Sequence, residues 1–189
     1  MFILYSLLVG LVLGIALRGS AAGLAALRFR WSGLMLLGLL VQVVLFSEPV
    51  AARIGVWGAP IYVGSTAAVL AAVLTNVSIP GMALVALGAA SNLTAIVANG
   101  GYMPAARSAL VALGKTDPTS YSNSTTLENP ALCLLTDIFA MPAWLPFANV
   151  FSIGDVLIGT GVATTIVLAM RRDRDTSPAA AAGSGSLAN

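Results

Sequence analysis

Histidine is absent from the 189 residues, and cysteine occurs once, at Cys133. Without histidine the chain lacks the commonest general base, proton shuttle and metal ligand at neutral pH. A single cysteine permits no intramolecular disulfide and no CxxC redox pair. Zinc sites, histidine-held haem and dithiol chemistry are therefore not expected, and no metal or other cofactor is assigned. Charge is the third scarcity: 8% of residues are charged, against roughly 25% in soluble domains. The formal net charge is +2. Its arginines lie beside apolar segments and form no basic face, so nucleic-acid binding is not expected either.

What the chain has in abundance is apolar surface, with 58% hydrophobic residues and a mean hydropathy of +0.94. This composition implies an all-α integral membrane bundle. Residues 1–17 are continuously apolar with no basic residue ahead of them, which reads as an uncleaved membrane helix and not a signal peptide. Gly10 and Gly14 form a GxxxG pair suited to close helix packing. Trp31 opens a second span ending near Phe46, and residues 48–60 read as a loop with Trp57 and Tyr62 as interface anchors. A third span covers about 61–74, with Gly64, Ala68 and Ala72 as a flat packing stripe. A polar turn at 75–80 leads to a fourth span over about 81–97, and a last span covers about 150–170.

Between them, residues 99–149 carry no full span. A short interfacial helix is expected over 105–113, with Arg107 and Ser108 towards water. The apolar stretch 131–140 is too short to cross and reads as a re-entrant or interfacial helix, begun by a capping box of Thr125 and Glu128. Short basic flanks set the orientation: a loop with Arg18, Arg28 and Arg30 after the first span, and a tail with Arg171, Arg172 and Arg174 after the last. Five spans bring both groups into the cytoplasm and put the N-terminus and residues 99–149 outside. Trp144, Tyr102 and Phe151 then form an outer aromatic belt. The chain reads as one polytopic membrane domain over 1–172, followed by a disordered cytoplasmic tail over 173–189.

Four polar residues stand out near the outer interface. Asp155 lies about one and a half turns into the last span, where hydrocarbon cannot solvate a carboxylate. Asp137 lies in the run Cys133-Leu134-Leu135-Thr136-Asp137. Asn99 ends the fourth span and Asn92 sits about two turns deeper. Two carboxylates facing one cavity would split their pKa values and activate a water without metal or histidine. Structural roles compete with each of these. Ser152 and Asp155 match an S-x-x-D cap, Asn92 suits interhelical hydrogen bonding, and Asn99-Gly100-Gly101 suits a helix C-cap. The sequons at Asn76, Asn92 and Asn123 read as chance.

The run Arg28-Phe29-Arg30-Trp31, the Asn99-to-Pro104 signature and the Val150-to-Gly159 segment resemble an uncharacterised family of small bacterial polytopic membrane proteins, a domain of unknown function. That resemblance implies the membrane fold and no activity. A second one covers the last two spans. Phe151-Ser152-Ile153-Gly154-Asp155-Val156-Leu157-Ile158 is similar to the F-N-V-A-D-S-A-I motif of lipoprotein signal peptidases, and Gly88-Ala89-Ala90-Ser91-Asn92-Leu93 to their G-G-A-x-G-N-L run. The resemblance implies a catalytic role for Asp155, but the position of the other catalytic aspartate holds Ala95, leaving Asp137 as the substitute.

These readings give a bacterial inner-membrane protein, non-catalytic, with an outward-facing polar pocket formed by Asn92, Asn99, Asp137 and Asp155. Its partners would be the bilayer and a lipid ligand or membrane-protein subunit. One alternative is an aspartyl membrane hydrolase using Asp155 and Asp137. Another is a small-solute transporter, which would need a polar path linking Gln42, Asn92 and Asp155.

Overall fold

The computed structural model describes residues 2–114, 124–125 and 127–175. Long apolar runs, with proline only in the first turn of α5 (Pro60), form its main helices: α1 (Phe2–Ala16), α3 (Ser32–Leu45), α5 (Gly58–Leu74), α6 (Met82–Ala98) and α8 (Ile153–Asp175). Short helices α2 (Ala21–Ala25), α4 (Glu48–Ala51) and α7 (Arg107–Ala112) lie between them. Four two-residue strands complete the described elements: β1 (Met103–Pro104), β2 (Ser124–Thr125), β3 (Phe139–Ala140) and β4 (Val150–Phe151).

The long helices stand in a row, packed in the order α1, α8, α6, α5, α3, with α2 against α8. The row is held by close approach at glycine. On α6 and the turn before it, Gly81 and Gly88 are seven residues apart; on α8, Gly154 and Gly161 share that spacing. A Cβ on Gly88 would overlap the Gly154 carbonyl oxygen, and one on Gly81 would overlap that of Gly161. Two helical turns separate the members of each pair, so the antiparallel helices meet backbone to backbone at two levels. On the other side of α8, Gly10 faces Ala163 and Gly14 faces Met170, which makes α1 parallel to α8. The GxxxG pair thus packs as its spacing implies.

Because α1 and α8 are parallel, their N-termini share one end of the row with the C-termini of α3 and α6. The described residues between 99 and 152 form a cap over that end. Strand β3 pairs antiparallel with β4, Phe139 opposite Phe151, and β1 pairs parallel with β2. Asp137 N donates to the Pro104 carbonyl and its own carbonyl accepts from Ala106 N, both at 2.9 Å. Phe2 stacks on Phe151 at 4.4 Å, and Phe151 on Phe139 at 5.4 Å. Phe2 N also donates to Asn149 Oδ1 at 3.0 Å, and the Tyr5 hydroxyl to the Pro146 carbonyl at 2.8 Å. These contacts fasten the cap to the start of α1.

Several sequence expectations need correction. Residues 48–60 are not a loop: α4, a 3-10 turn at Gly55–Trp57 and the first turn of α5 occupy them. Tyr62 is buried, edge-on to Phe46 at 4.9 Å, and is no interface anchor. Of the expected stripe on α5, Ala72 is fully buried but Gly64 has no neighbour where a Cβ would stand, and the packing face runs through Tyr62, Ser65, Ala72 and Val73. The stretch 131–140 is not a helix. After a 3-10 turn at Cys133–Leu135 the backbone is extended, because Asp137 and β3 find their hydrogen-bond partners in Pro104, Ala106 and β4. Residues 127–130 are likewise non-helical, so Thr125 and Glu128 begin no helix there. Helix α8 runs on to Asp175, past the expected start of the tail. The tail beyond it and the sequon at Asn123 lie outside the described residues.

Candidate functional site

The start of α8 is set by Ser152 and Asp155. Asp155 N donates to Ser152 Oγ at 3.1 Å, and Ser152 N donates to Asp155 Oδ2 at 3.0 Å. Two amides that a helix start would leave without partners are thereby satisfied reciprocally, which is a capping box. Ser152 is fully buried and Asp155 half-buried.

Asn92 reaches this cap from α6. Its Nδ2 donates to Asp155 Oδ1 at 3.0 Å, and its Oδ1 accepts from Ser152 Oγ at 2.9 Å. Ser152 Oγ also lies 3.1 Å from Asp155 Oδ2, but a hydroxyl has one proton, which serves one of these acceptors at a time. Either way each carboxylate oxygen of Asp155 retains an N–H donor, from Asn92 on one side and Ser152 on the other. Asn92 fits only because residue 154 has no side chain: a Cβ on Gly154 would fall on Asn92 Oδ1. The polar cluster is thus continuous with the glycine seam.

Of the sequence candidates, the structure brings Asn92 and Asp155 together. The other two serve elsewhere in the cap. Asn99 ends α6 in a Schellman turn, with Gly101 N bonded to the Ile96 carbonyl at 2.8 Å, Gly100 N to that of Val97 at 3.2 Å, and Gly100 at φ +69°. The Asn99 amide then clasps Ala131, its Nδ2 donating to the Ala131 carbonyl at 3.0 Å and its Oδ1 accepting from Ala131 N at 2.8 Å. Asp137 is buried, and its backbone ties the cap to Pro104 and Ala106. The hydrogen bonds of Asp155 go to Asn92 and Ser152, and none joins it to Asp137 among the described residues. No three histidine, cysteine, aspartate or glutamate side chains converge as a metal site among those residues.

Ala95, where the signal-peptidase motif has its other aspartate, is fully buried in an apolar cluster with Leu45, Tyr62, Ile96 and Met103. Gln42 pairs with Thr66 at 3.3 Å across the α3–α5 contact, two helix interfaces away from Asn92 and three from Asp155. Sequence reasoning missed a further polar clamp at Asn76. This side chain is 2% exposed and accepts from Arg30 N at 2.8 Å while donating to the carbonyls of Arg30 and Ala72. Its signal in the sequence was an amide in a turn otherwise bounded by apolar helices.

Together these features define a mostly helical protein with two helices long and apolar enough to cross a membrane, Gly55–Leu74 (with its leading 3-10 turn) and Ile153–Arg172. The chain belongs to the family of unknown function DUF5317, whose model matches residues 26–167. That range includes all three segments that carried the family resemblance. No curated protein and no solved structure matches the chain.

Proposed function

We propose that this is a multi-pass protein of the bacterial inner membrane, with a non-catalytic, binding role centred on its outer cap. The observation that carries the membrane reading is the apolar surface at the two edges of the row. Helix α1 exposes Ile3, Leu4, Leu7, Leu8, Leu11, Val12 and Ile15, and α3 exposes Leu36, Leu37, Leu39, Leu40, Val43 and Val44. Removing such a side chain from water is worth about 1.5–3 kcal/mol when complete. Left in water, the two edges would be extended apolar surface of the kind that marks membrane or protein contact, and moving them into lipid gains free energy comparable with the roughly 5–15 kcal/mol that stabilises a typical fold. In lipid they cost nothing. Helices α1, α3 and α6 are shorter apolar helices, a mismatch that local bilayer thinning accommodates.

The antiparallel order of the row supports five crossings, with the N-terminus and cap on one side and Arg18, Arg28, Arg30, Arg171 and Arg172 on the other. On the cap, Leu132, Leu134, Trp144 and Phe147 are exposed, an apolar rim suited to a lipid or a membrane-protein subunit. The hydrolase alternative is disfavoured by the bonds already made by Asp155 and by the apolar surroundings of Ala95. The transporter alternative is disfavoured by the separation of Gln42 from Asn92.

The single cysteine supplies the test. Cys133 is exposed on the cap, so a membrane-impermeant maleimide should label it in intact cells made permeable only at the outer membrane. Labelling that requires disruption of the inner membrane would reverse the orientation. Recovery of the protein in the soluble fraction would end the membrane reading.

A further inference from the structure

The end of the row opposite the cap gathers four arginines from three segments of the chain. Arg18 follows α1, Arg28 and Arg30 lie in the loop between α2 and α3, and Arg171 is on α8. All four are exposed, and none makes a side-chain hydrogen bond or ion pair among the described residues. We propose that they form a basic collar, with Phe29 and Trp31 interleaved, that holds anionic phospholipids of the inner leaflet, an inference that rests on the membrane reading above.

The backbone brings these charges together and fixes them. Ser20 N donates to the Met170 carbonyl at 2.8 Å, so Arg18 and Arg171 flank one bond between the end of α1 and α8. A Cβ on Gly23 would overlap the Ala169 carbonyl, which lays α2 directly on α8, and Asn76 bonds both backbone groups of Arg30. Two carboxylates follow in the chain, Asp173 and Asp175 on the last turn of α8, fewer than the four arginines. Like charges gathered on a fixed frame repel one another until anions join them.

Two backbone conformations point the same way. Arg18, at φ +59°, closes α1 in a Schellman turn, with Gly19 N bonded to the Gly14 carbonyl at 2.8 Å. Trp31, at φ +57°, precedes the first turn of α3. Glycine would take either left-handed position at lower conformational cost. The segment from 18 to 31 thus begins and ends on a strained residue with an exposed side chain, an arginine and a tryptophan, both types that favour the membrane interface.

The surroundings select the anion. Leu17, Phe29 and Trp31 are exposed between the arginines, and this surface continues into the exposed faces of α1 and α3. Inorganic phosphate would answer the charge and leave the apolar surface in water. A neutral lipid would do the reverse, and an anionic phospholipid answers both. Each arginine near a membrane surface is worth about fivefold in affinity for anionic lipid.

The test uses the full chain reconstituted in vesicles, with brominated lipids that quench nearby tryptophan. With Trp57→Phe and Trp144→Phe, emission comes from Trp31 alone; with Trp31→Phe and Trp57→Phe, it comes from Trp144 on the cap. Brominated phosphatidylglycerol should quench Trp31 with at least about fivefold higher affinity than brominated phosphatidylcholine, with a smaller preference at Trp144. The preference at Trp31 should fall in about 1 M salt, be largely lost in Arg28→Gln with Arg30→Gln, and survive in Arg28→Lys with Arg30→Lys. Arg18→Gly should raise Tm in phosphatidylcholine by relieving the strained turn, yet reduce the further rise that phosphatidylglycerol gives. Equal preference at Trp31 and Trp144, a ratio indifferent to the glutamine pair, or its erasure by inorganic phosphate at the same headgroup concentration would each overturn the proposal. So would an arginine-dependent complex with an acidic protein in vesicles where no lipid preference appears. A chain that inserts into neither lipid ends the membrane reading, whereas an inserted chain without the preference counts against the collar alone.

Discussion

Alanine at Gly154 and alanine at Gly64 are the same chemical change inside two helices of one row, yet they should move stability in opposite directions. At Gly64 a Cβ meets nothing within 4 Å, and the added methyl only restricts the unfolded chain. Ala should then be favoured by about 0.5–1 kcal/mol. At Gly154 the Cβ falls on Asn92 Oδ1 and crowds the Gly88 carbonyl. Either α6 and α8 separate, at about 1–3 kcal/mol for overpacking, or Asn92 swings away and gives up its bonds to Asp155 and Ser152, at roughly 0.6 kcal/mol each. Subtracting the propensity gain leaves a net loss of up to about 2.5 kcal/mol if the helices separate and of about 0.2–0.7 kcal/mol if Asn92 yields instead. For a chain of this length each kcal/mol moves Tm by about 2–4 °C. Thermal unfolding in detergent, followed by tryptophan fluorescence, should show Gly154→Ala lowered by up to about 10 °C and Gly64→Ala raised by about 1–4 °C. Combining Gly154→Ala with Asn92→Ala removes one of the two obstacles and should recover part of the loss. A Gly154→Ala protein as stable as Gly64→Ala would refute the reasoning.

Two other substitutions probe the polar clamps by the same unfolding assay and by proteolysis. Asn76→Ala leaves the backbone groups of Arg30 without their buried partner and should cost about 2–3 kcal/mol, with new cleavage in the 26–31 loop. Asn99→Ala frees Ala131 from the end of α6 and should cost about 1 kcal/mol. Its effect should appear as faster proteolysis of residues 127–150 while the helical circular dichroism is unchanged.

The long helices were legible because an apolar run of 14 or more residues between turn formers has few other solutions. Asn92 and Asp155 were legible as neighbours because the pattern of spans brought both towards the same end of the row. The cap was not. Its strands are two residues long, too short to show a period, and each is specified by a partner distant in sequence, as Phe139 is by Phe151. The stretch 131–140 therefore read as helix from its composition alone. The glycine seam is visible in retrospect as a seven-residue spacing on two helices, but spacing does not name the partner helix. Gly64 shows the converse, since a small residue on an apolar helix marks a contact only when a neighbour arrives there.

The role of Asp155 is tested most directly by a double-mutant cycle on Asn92 and Asp155, with Asn92→Ala, Asp155→Ala and the pair compared by unfolding in detergent. If the two side chains clasp α6 to α8, the losses should be non-additive by about 0.6 kcal/mol and up to about 1.7. Additivity within about 0.3 kcal/mol, together with an Asp155→Ala protein as stable as the parent, would contradict the clasp and return Asp155 to the search for a catalytic or ligand-binding role.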